Sequence, residues 1–290
     1  MPELQEVETI VKDLNKKVLN RTIIDVWSDT KKLIKKPKSF EDFEKEIKNK
    51  KILKVWRRAK NIIFDLSDGY ALLIHLKMTG HLLYGQWKLN NGIMEPVGDE
   101  IFKEKVNSYI HLLFYLDNKE MLAFSDLRKF GKAELWKKED LLSSEEFKKI
   151  GPEPLEKDFT LEKFKEVLKD EKGKIKQVLM DPNVIAGIGN IYSDDILWEA
   201  KVHPERKVGT LDEKELEKIF KAIKDILQKA VELRGTSISD YRDTSGQQGE
   251  YGKQRKIYQR EGEKCHRCGT IIKRIKVGGR SSCFCPNCQK

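Results

Sequence analysis

The stretch CHRCGTIIKRIKVGGRSSCFCPNC, residues 265–288, contains all five cysteines of this 290-residue chain. Two pairs of cysteines, each with two residues inside it, are separated by 16 residues. This spacing is typical of two tight turns that converge on one tetrahedral Zn²⁺ ion, and the predicted ligands are Cys265, Cys268, Cys285 and Cys288. Disulfides are the alternative, and a reducing cytosol disfavours them. His266 and Cys283 could each replace a ligand, but the symmetric pairs favour the four named.

The residues between the two cysteine pairs predict a β-hairpin with a basic surface. Gly278 and Gly279 allow a tight turn, and Arg280 projects from it. From residue 250 to residue 290 the chain has 11 lysines and arginines against 3 glutamates. A basic hairpin held by zinc is suited to phosphate contacts, although a merely solvated basic surface would have the same composition.

The charge of the whole chain is also basic, with a formal net charge of +10 and a pI near 9.1. This balance suits a polyanionic partner such as nucleic acid. No apolar run approaches the roughly 18 residues that a membrane span requires, so we expect no membrane role. The first residues are acidic and no apolar segment of a signal peptide follows, which favours a cytoplasmic protein.

The first half of the chain predicts a helix followed by strands. Apolar residues recur at helical spacing from about Pro2 to Leu19, and proline suits the first turn of a helix. Alternating and apolar stretches then predict successive strands, with Asp68 and Gly69 forming a tight hairpin turn. Residues 1–135 are therefore expected to form a β-sandwich or barrel with a leading helix.

Helix signals dominate from residue 136 onward. Helices are predicted over Ser143–Phe147, Thr160–Leu168, Lys174–Leu179, Asn190–Ala200 and Leu211–Leu233, with Asn190 as an N-cap. Residues 235–254 are polar, rich in glycine and serine, and without periodicity, which is typical of a long mobile loop. The predicted domains are thus 1–135, 136–250 and 251–290.

Three separated motifs carry a resemblance to a known family: MPELQEVET at residues 1–9, GIGNIYSDDIL at 187–197 and GGRSSCFCPNCQ at 278–289. In this order they resemble the formamidopyrimidine-DNA glycosylase family of bacteria, over essentially the whole chain. The resemblance implies an α+β multidomain fold. It consists of an N-terminal β-sandwich with a leading helix, a helix-two-turn-helix domain and a C-terminal zinc-finger β-hairpin.

The resemblance also implies the chemistry of the N-terminus. Removal of Met1 would expose the secondary amine of Pro2, which attacks C1′ of a damaged nucleoside, displaces the base and forms an iminium ion. Its positive charge permits β- and then δ-elimination. Glu3 would protonate the opening sugar, Glu6 would support the site, and Lys60 would contact phosphate and assist catalysis. From the residues alone, both glutamates are expected to be partners of the helix dipole, and Lys60 a surface lysine.

Further residues are implied to contact DNA. A base must leave the duplex to be reached, and Met78, Arg128 and Phe130 match the residues that fill the resulting gap. Periodicity alone would place Met78 and Phe130 in a core. The remaining residues that the resemblance assigns to DNA contacts are His75, Asn190, Tyr258 and Arg280. His75 also suits a core position, and residues 236–252 would close over the base.

The expected function is removal of oxidised purines, 8-oxoguanine and formamidopyrimidines, from duplex DNA by a monomeric enzyme associated with the nucleoid. An endonuclease VIII-type enzyme for oxidised pyrimidines is the nearest alternative. A non-enzymatic, zinc-dependent DNA-binding protein is the alternative from another class. The chain departs from the family pattern at Gln5, Gln259 and Lys264, and none of these is a proposed catalytic group.

Overall fold

The computed structural model describes residues 1–238 and 240–290. Ser239, which belongs to the predicted loop, lies outside the described residues. The chain forms two compact units. The first consists of residues 1–148 with 234–250, and the second of residues 149–233 with 251–290.

The first unit begins with helix α1, Leu4–Lys17. Glu3 and Glu6 form a capping box in which the side chain of each accepts a hydrogen bond from the backbone N–H of the other. Such a box satisfies two of the N–H groups that a helix start leaves unpaired. The apolar face of α1 is fully buried, so the predicted amphipathic helix is confirmed, with each end two residues inside the expected range.

The strands of this unit are β1 Ile23–Trp27, β2 Ile34–Lys36, β3 Ile52–Arg58, β4 Asn61–Leu66, β5 Tyr70–His75, β6 His81–Asn90, β7 Ile93–Val97, β8 Ile110–Leu116, β9 Met121–Ser125 and β10 Lys132–Lys137. They form two five-stranded sheets with the orders β1-β8-β9-β6-β7 and β2-β10-β5-β4-β3. Side chains of both sheets and of α1 share one core, which includes Phe64, Phe114 and Phe124. The predicted sandwich is therefore confirmed.

One turn of this unit was predicted from the sequence, and one of its helices was not. Asp68 and Gly69 have φ values of 57° and 71°, as the predicted hairpin turn between β4 and β5 requires. Helix α2, Phe40–Ile47, was not predicted. Ser39 caps it by accepting a hydrogen bond from the N–H of Asp42, which is a recognisable start signal.

The helix predicted over Ser143–Phe147 is wrong in its bounds. The structure has two short helices there, α3 Lys138–Ser143 and α4 Glu145–Lys148. The chain breaks at Ser144, which has an extended backbone. The side chain of Ser144 donates a hydrogen bond to the carbonyl of Leu141, a local contact of the kind that competes with helix continuation.

The second unit contains four helices, α5 Leu161–Leu168, α6 Ile175–Leu179, α7 Asn190–Ala200 and α8 Glu213–Glu232. The helix-two-turn-helix prediction is confirmed, but the prediction of Asn190 as an N-cap is wrong. Gly189 has the extended backbone of the cap, and Asn190 is the first residue of α7. The finger forms the predicted hairpin from β11, Lys273–Val277, and β12, Arg280–Phe284, with positive φ at the two glycines between them.

The segment 235–254 lacks regular secondary structure, as predicted, except for an isolated bridge between Thr236 and Glu250 and one short turn. The described part of this segment packs against α1, and its predicted mobility stays a prediction. Asp243 and Thr244 are buried, and the segment is hydrogen-bonded to α1. No helix of the described chain is long and apolar enough to cross a membrane.

Candidate active site and nucleic-acid interface

The start of α1 brings together three of the four predicted catalytic residues. Pro2, Glu3 and Glu6 are all buried. Glu6 is held from two directions, because Oε2 accepts the N–H of Glu3 at 2.6 Å and Oε1 accepts the N–H of Thr236 at 2.7 Å. Each oxygen of Glu6 thus has a backbone donor. This arrangement suits a residue that fixes the N-terminus and the neighbouring segment more than one that exchanges protons.

Lys60 lies in the turn between β3 and β4, and His75 ends β5 beside it. Burial, together with the nearby charges of Lys77, Lys132 and Lys60, lowers the pKa of His75 to about 3. Nδ1 accepts the N–H of Lys77 at 2.9 Å, so the neutral ring has its hydrogen on Nε2. A half-buried N–H donor among three lysines is compatible with a phosphate contact.

Met78 and Phe130 are surface residues, so the alternative that places them in a core is wrong. Their exposed fractions are 38% and 53%. The guanidinium of Arg128 lies over the ring of Phe130 at 4.5 Å from its centroid. This group of exposed apolar and cationic side chains is suited to stacking against bases.

A buried carboxylate that was not predicted from the sequence joins the two segments that carry this group. Asp126 Oδ1 accepts the hydroxyl of Thr79 at 2.5 Å, and Oδ2 accepts the N–H of Gly131 at 2.7 Å. A Cβ at either Gly80 or Gly131 would collide with the ring of Phe124, which explains why both segments contain glycine. The signal in the sequence was an aspartate directly after a strand and followed by a glycine-containing turn.

We expect Asp126→Asn to lower the free energy of unfolding by about 1–3 kcal/mol, because an amide NH₂ would face a backbone N–H or hydroxyl donor in a fully buried position. Denaturant unfolding at neutral pH measures this change. The matched control is Asp117→Asn at an exposed carboxylate of the same unit, where the effect should stay within about 0.5 kcal/mol. Equal effects of the two changes would contradict the assigned role of Asp126.

His81 is fully buried between Asn107 Oδ1, at 3.0 Å, and the carbonyl of Thr79. Burial lowers its pKa to about 4. Protons therefore bind the unfolded chain first, and stability should fall as the pH falls from 6.5 towards 4. Between pH 7 and pH 5 the free energy of unfolding should therefore fall by about 2 kcal/mol less in His81→Gln than in the wild-type protein, as measured by urea unfolding. An unchanged loss would contradict the buried neutral state.

The four predicted zinc ligands meet in the second unit. The Sγ atoms of Cys265, Cys268, Cys285 and Cys288 lie within 4.8 Å of one another. Four thiolates around Zn²⁺, with bonds of about 2.3 Å, need a cluster of this size. The indole N–H of Trp198 lies 3.4 Å from Cys265 Sγ, as an outer hydrogen bond to a ligand would. The residues present fit one structural zinc ion, and Cys283 and His266 lie outside the cluster.

A buried ion pair fastens the start of α7 to the finger hairpin. Lys176 Nζ donates to Asp194 Oδ1 at 2.5 Å and to the carbonyl of Ser281 at 3.2 Å. Asp194 also accepts the hydroxyl of Ser282 at 2.6 Å and the N–H of Cys283 at 3.0 Å. Burial raises the pKa of Asp194 to about 6, against the opposing pull of these donors.

The elements that this ion pair connects carry two of the predicted phosphate-contacting residues, Asn190 and Arg280. Asn190 begins α7 one turn before Asp194, and Arg280 begins β12 two residues before Ser282. Asn190 Oδ1 is buried and has no hydrogen-bond partner among the described residues, whereas Arg280 is exposed. Both side chains therefore stand on elements whose relative position is fixed by buried hydrogen bonds. A helix start with free N–H groups is suited to a phosphate.

Asp195 in the same way holds the segment before the finger through hydrogen bonds. It accepts the hydroxyl of Tyr251 at 2.9 Å and the N–H of Lys256 and Ile257 at 3.1 and 3.0 Å. Tyr258 follows directly after these residues. Two adjacent buried aspartates of α7 thus hold both the hairpin and its leading segment, and neither was identified from the sequence.

Comparison with known proteins agrees with this geometry. The family model of the formamidopyrimidine-DNA glycosylase N-terminal domain matches residues 1–133, and that of its H2TH domain matches residues 150–242. The zinc finger found in FPG and IleRS matches residues 262–290. The chain belongs to the formamidopyrimidine-DNA glycosylase family. It is therefore an enzyme of the DNA glycosylase and abasic-site lyase class, with one structural zinc ion.

Relatives match over their full length. The formamidopyrimidine-DNA glycosylase of Carboxydothermus hydrogenoformans is 42% identical, with all of both chains covered, and that of Desulforamulus reducens is 38% identical, with 100% of this chain and 99% of the relative covered. A solved complex of Lactococcus lactis Fpg with DNA that contains an abasic site has a TM-score of 0.86 at 36% identity, with 100% of both chains covered. A MutM complex with DNA containing carbocyclic 8-oxo-G gives the same values.

Proposed function

We propose that this enzyme excises oxidised purines, 8-oxoguanine and formamidopyrimidines, from duplex DNA and then cuts the strand at the abasic site by β- and δ-elimination. The observation that carries the proposal is the capped start of α1, where the buried residues Pro2, Glu3 and Glu6 adjoin one another. Solved relatives support the substrate class, since they hold DNA with Fapy-dG or carbocyclic 8-oxo-G.

In the proposed reaction the amine of Pro2, free after loss of Met1, attacks C1′ and loses its proton. The damaged base leaves with the electrons of the glycosidic bond and takes up a proton. Glu3 donates the proton that opens the sugar ring at O4′, and the nitrogen becomes an iminium. The iminium accepts electrons when C2′ loses a proton, and the 3′ phosphate leaves. A second elimination releases the 5′ phosphate, and water then frees the amine.

The remaining proposed residues hold the DNA. Met78, Arg128 and Phe130 fill the gap left by the extruded base, in keeping with their exposure and stacking. Lys60 and His75 contact phosphate from the first unit, while Asn190, Tyr258 and Arg280 do so from the second. The proposed functional domains are 1–135 for catalysis, 136–250 for the helix-two-turn-helix and its loop, and 251–290 for the finger. The proposed working state is a cytoplasmic, nucleoid-associated monomer.

Duplexes with 8-oxoguanine opposite cytosine, with a formamidopyrimidine or with thymine glycol test the substrate class directly. We expect base release and strand cleavage to be fastest with the two purine lesions. A clear preference for thymine glycol would contradict the proposal and favour an endonuclease VIII-type enzyme. The alternative of a non-enzymatic DNA-binding protein does not agree with the family to which the chain belongs.

A further inference from the structure

A charged group that the proposed chemistry does not use binds the segment after α8 to helix α1. Arg234 lies two residues after the end of α8, and its guanidinium contacts two carboxylates. Nη2 and Nη1 donate to Asp13 of α1 at 2.5 and 3.2 Å, and Nη2 and Nε donate to Asp243 at 2.6 and 2.9 Å. A planar guanidinium that holds two carboxylates in this way fixes their relative position as well as their charge.

Both carboxylates are buried and have further donors. Asp13 Oδ2 accepts the hydroxyl of Thr244 at 3.1 Å. Asp243 Oδ1 accepts the N–H groups of Ser245 and Gln247 at 2.9 and 3.0 Å, which folds this part of the segment into a tight turn. Removal of the arginine would leave two buried negative charges close together with only Lys17, one helical turn after Asp13, to compensate them, which is unfavourable.

The same segment reaches the candidate active site. Thr236, two residues after Arg234, donates its N–H to Glu6, and a Cβ at Gly235 would lie only 2.7 Å from Glu6 Oε1. The two ends of the segment are connected by a hydrogen bond from the N–H of Gly249 to Ser237 Oγ at 2.9 Å. We call residues 234–237 and 241–250 the stem. The stem is attached to α1 at Glu6 and, two helical turns further on, at Asp13.

We propose that Arg234, Asp13 and Asp243 form a positioning clamp that sets the stem on α1 beside Pro2 and Glu3, and so positions the surface that receives the extruded base. This inference rests on the proposed function, which supplies the base as the ligand. None of the three residues is proposed to touch DNA. Because the damaged base is present only until it is excised, the clamp matters for excision and not for elimination at a sugar that has already lost its base.

Arg234→Gly tests the clamp without straining the backbone. Arg234 has φ of 59°, a left-handed conformation that glycine adopts more easily than arginine. We expect single-turnover excision of 8-oxoguanine to fall about tenfold, since small displacements of a positioning surface have large effects on rate. Cleavage of DNA with a preformed abasic site should stay within about twofold of the unchanged enzyme.

A pair of matched variants separates the clamp from a general loss of surface charge. Arg234→Gln removes the clamp, and Arg21→Gln removes an arginine of the same unit with nearly the same side-chain exposure, 44% against 43%, and a single weak ion pair. Only the first should slow excision. Arg234→Lys keeps the charge but not the forked geometry, and it should be intermediate. Hydrogen exchange at the amides of Thr236 and Gln247 should be faster in Arg234→Gly than in Arg21→Gln.

Failure of the clamp and failure of the proposed function give different results. If the wild-type enzyme excises 8-oxoguanine and the Arg234→Gly variant does so at the same rate, the proposed clamp is wrong. Equal losses of excision and of abasic-site cleavage would also overturn it, because they would indicate a general structural role. If the unchanged enzyme excises no purine lesion, the proposed function fails instead. Hydrogen exchange then still decides whether Arg234 holds the stem, since unchanged exchange at both amides would overturn the clamp.

Discussion

An enzyme with an uncleavable N-terminal extension before Pro2 should leave abasic DNA uncut. An uncleavable extension converts the proline nitrogen into an amide, which has no lone pair available to attack C1′. We expect the rate of strand cleavage at a preformed abasic site to fall at least about a thousandfold, because the covalent route is lost altogether. Gel analysis of the cleaved strand under single-turnover conditions measures this rate.

The matched control carries the same extension with a protease site directly before Pro2. Proteolysis should restore cleavage to the level of the enzyme that begins at Pro2. Binding to uncleavable abasic DNA should differ little between the two states, since the proposed phosphate contacts lie elsewhere in the chain. An extended protein that cuts abasic DNA as fast as the trimmed protein would contradict the role of Pro2.

Loss of one zinc ligand should remove both the metal and most of the affinity for DNA. Cys285→Ser leaves three thiolates, and a structural zinc site contributes about 10–16 kcal/mol of folding free energy to a small finger. Without the ion, the hairpin that bears Arg280 is no longer held at its cysteine end. We expect affinity for damaged duplex to fall about 100-fold or more, by loss of ordered phosphate contacts.

Cys283→Ser is the control for this change. Cys283 lies two residues from Cys285 in the same chain segment and is buried, but it is outside the zinc cluster. Its contact with Asp194 is made by the backbone N–H, which the substitution retains. Metal analysis should find one zinc ion per chain in Cys283→Ser and none in Cys285→Ser. The reverse result would contradict the assigned ligands.

Some features could be predicted because a short stretch of sequence contains the whole cause. The two cysteine pairs fix the zinc cluster, the spacing of Val7, Ile10 and Leu14 fixes the buried face of α1, and the Asp68–Gly69 pair fixes a turn. In each case the relevant neighbours are close in sequence or their spacing is dictated by the ligand geometry.

Other features depend on partners far apart in sequence, and periodicity carries no information about them. Asp126 contacts Thr79, Asp194 contacts Lys176 and Ser282, and Arg234 contacts Asp13. Met78 illustrates the same limit of periodicity, which would place its apolar side chain in a core, whereas the structure leaves it exposed, as the family resemblance implies.

Borohydride trapping on abasic DNA, followed by mass analysis of the cross-linked peptide, identifies the nitrogen that attacks the sugar. Borohydride reduces an iminium to a stable amine, so the bond records which nitrogen attacked the sugar. We expect one adduct, on the peptide that begins with Pro2. An adduct on Lys60 or another lysine, or no adduct with an enzyme that cuts the strand, would contradict the proposed role of Pro2.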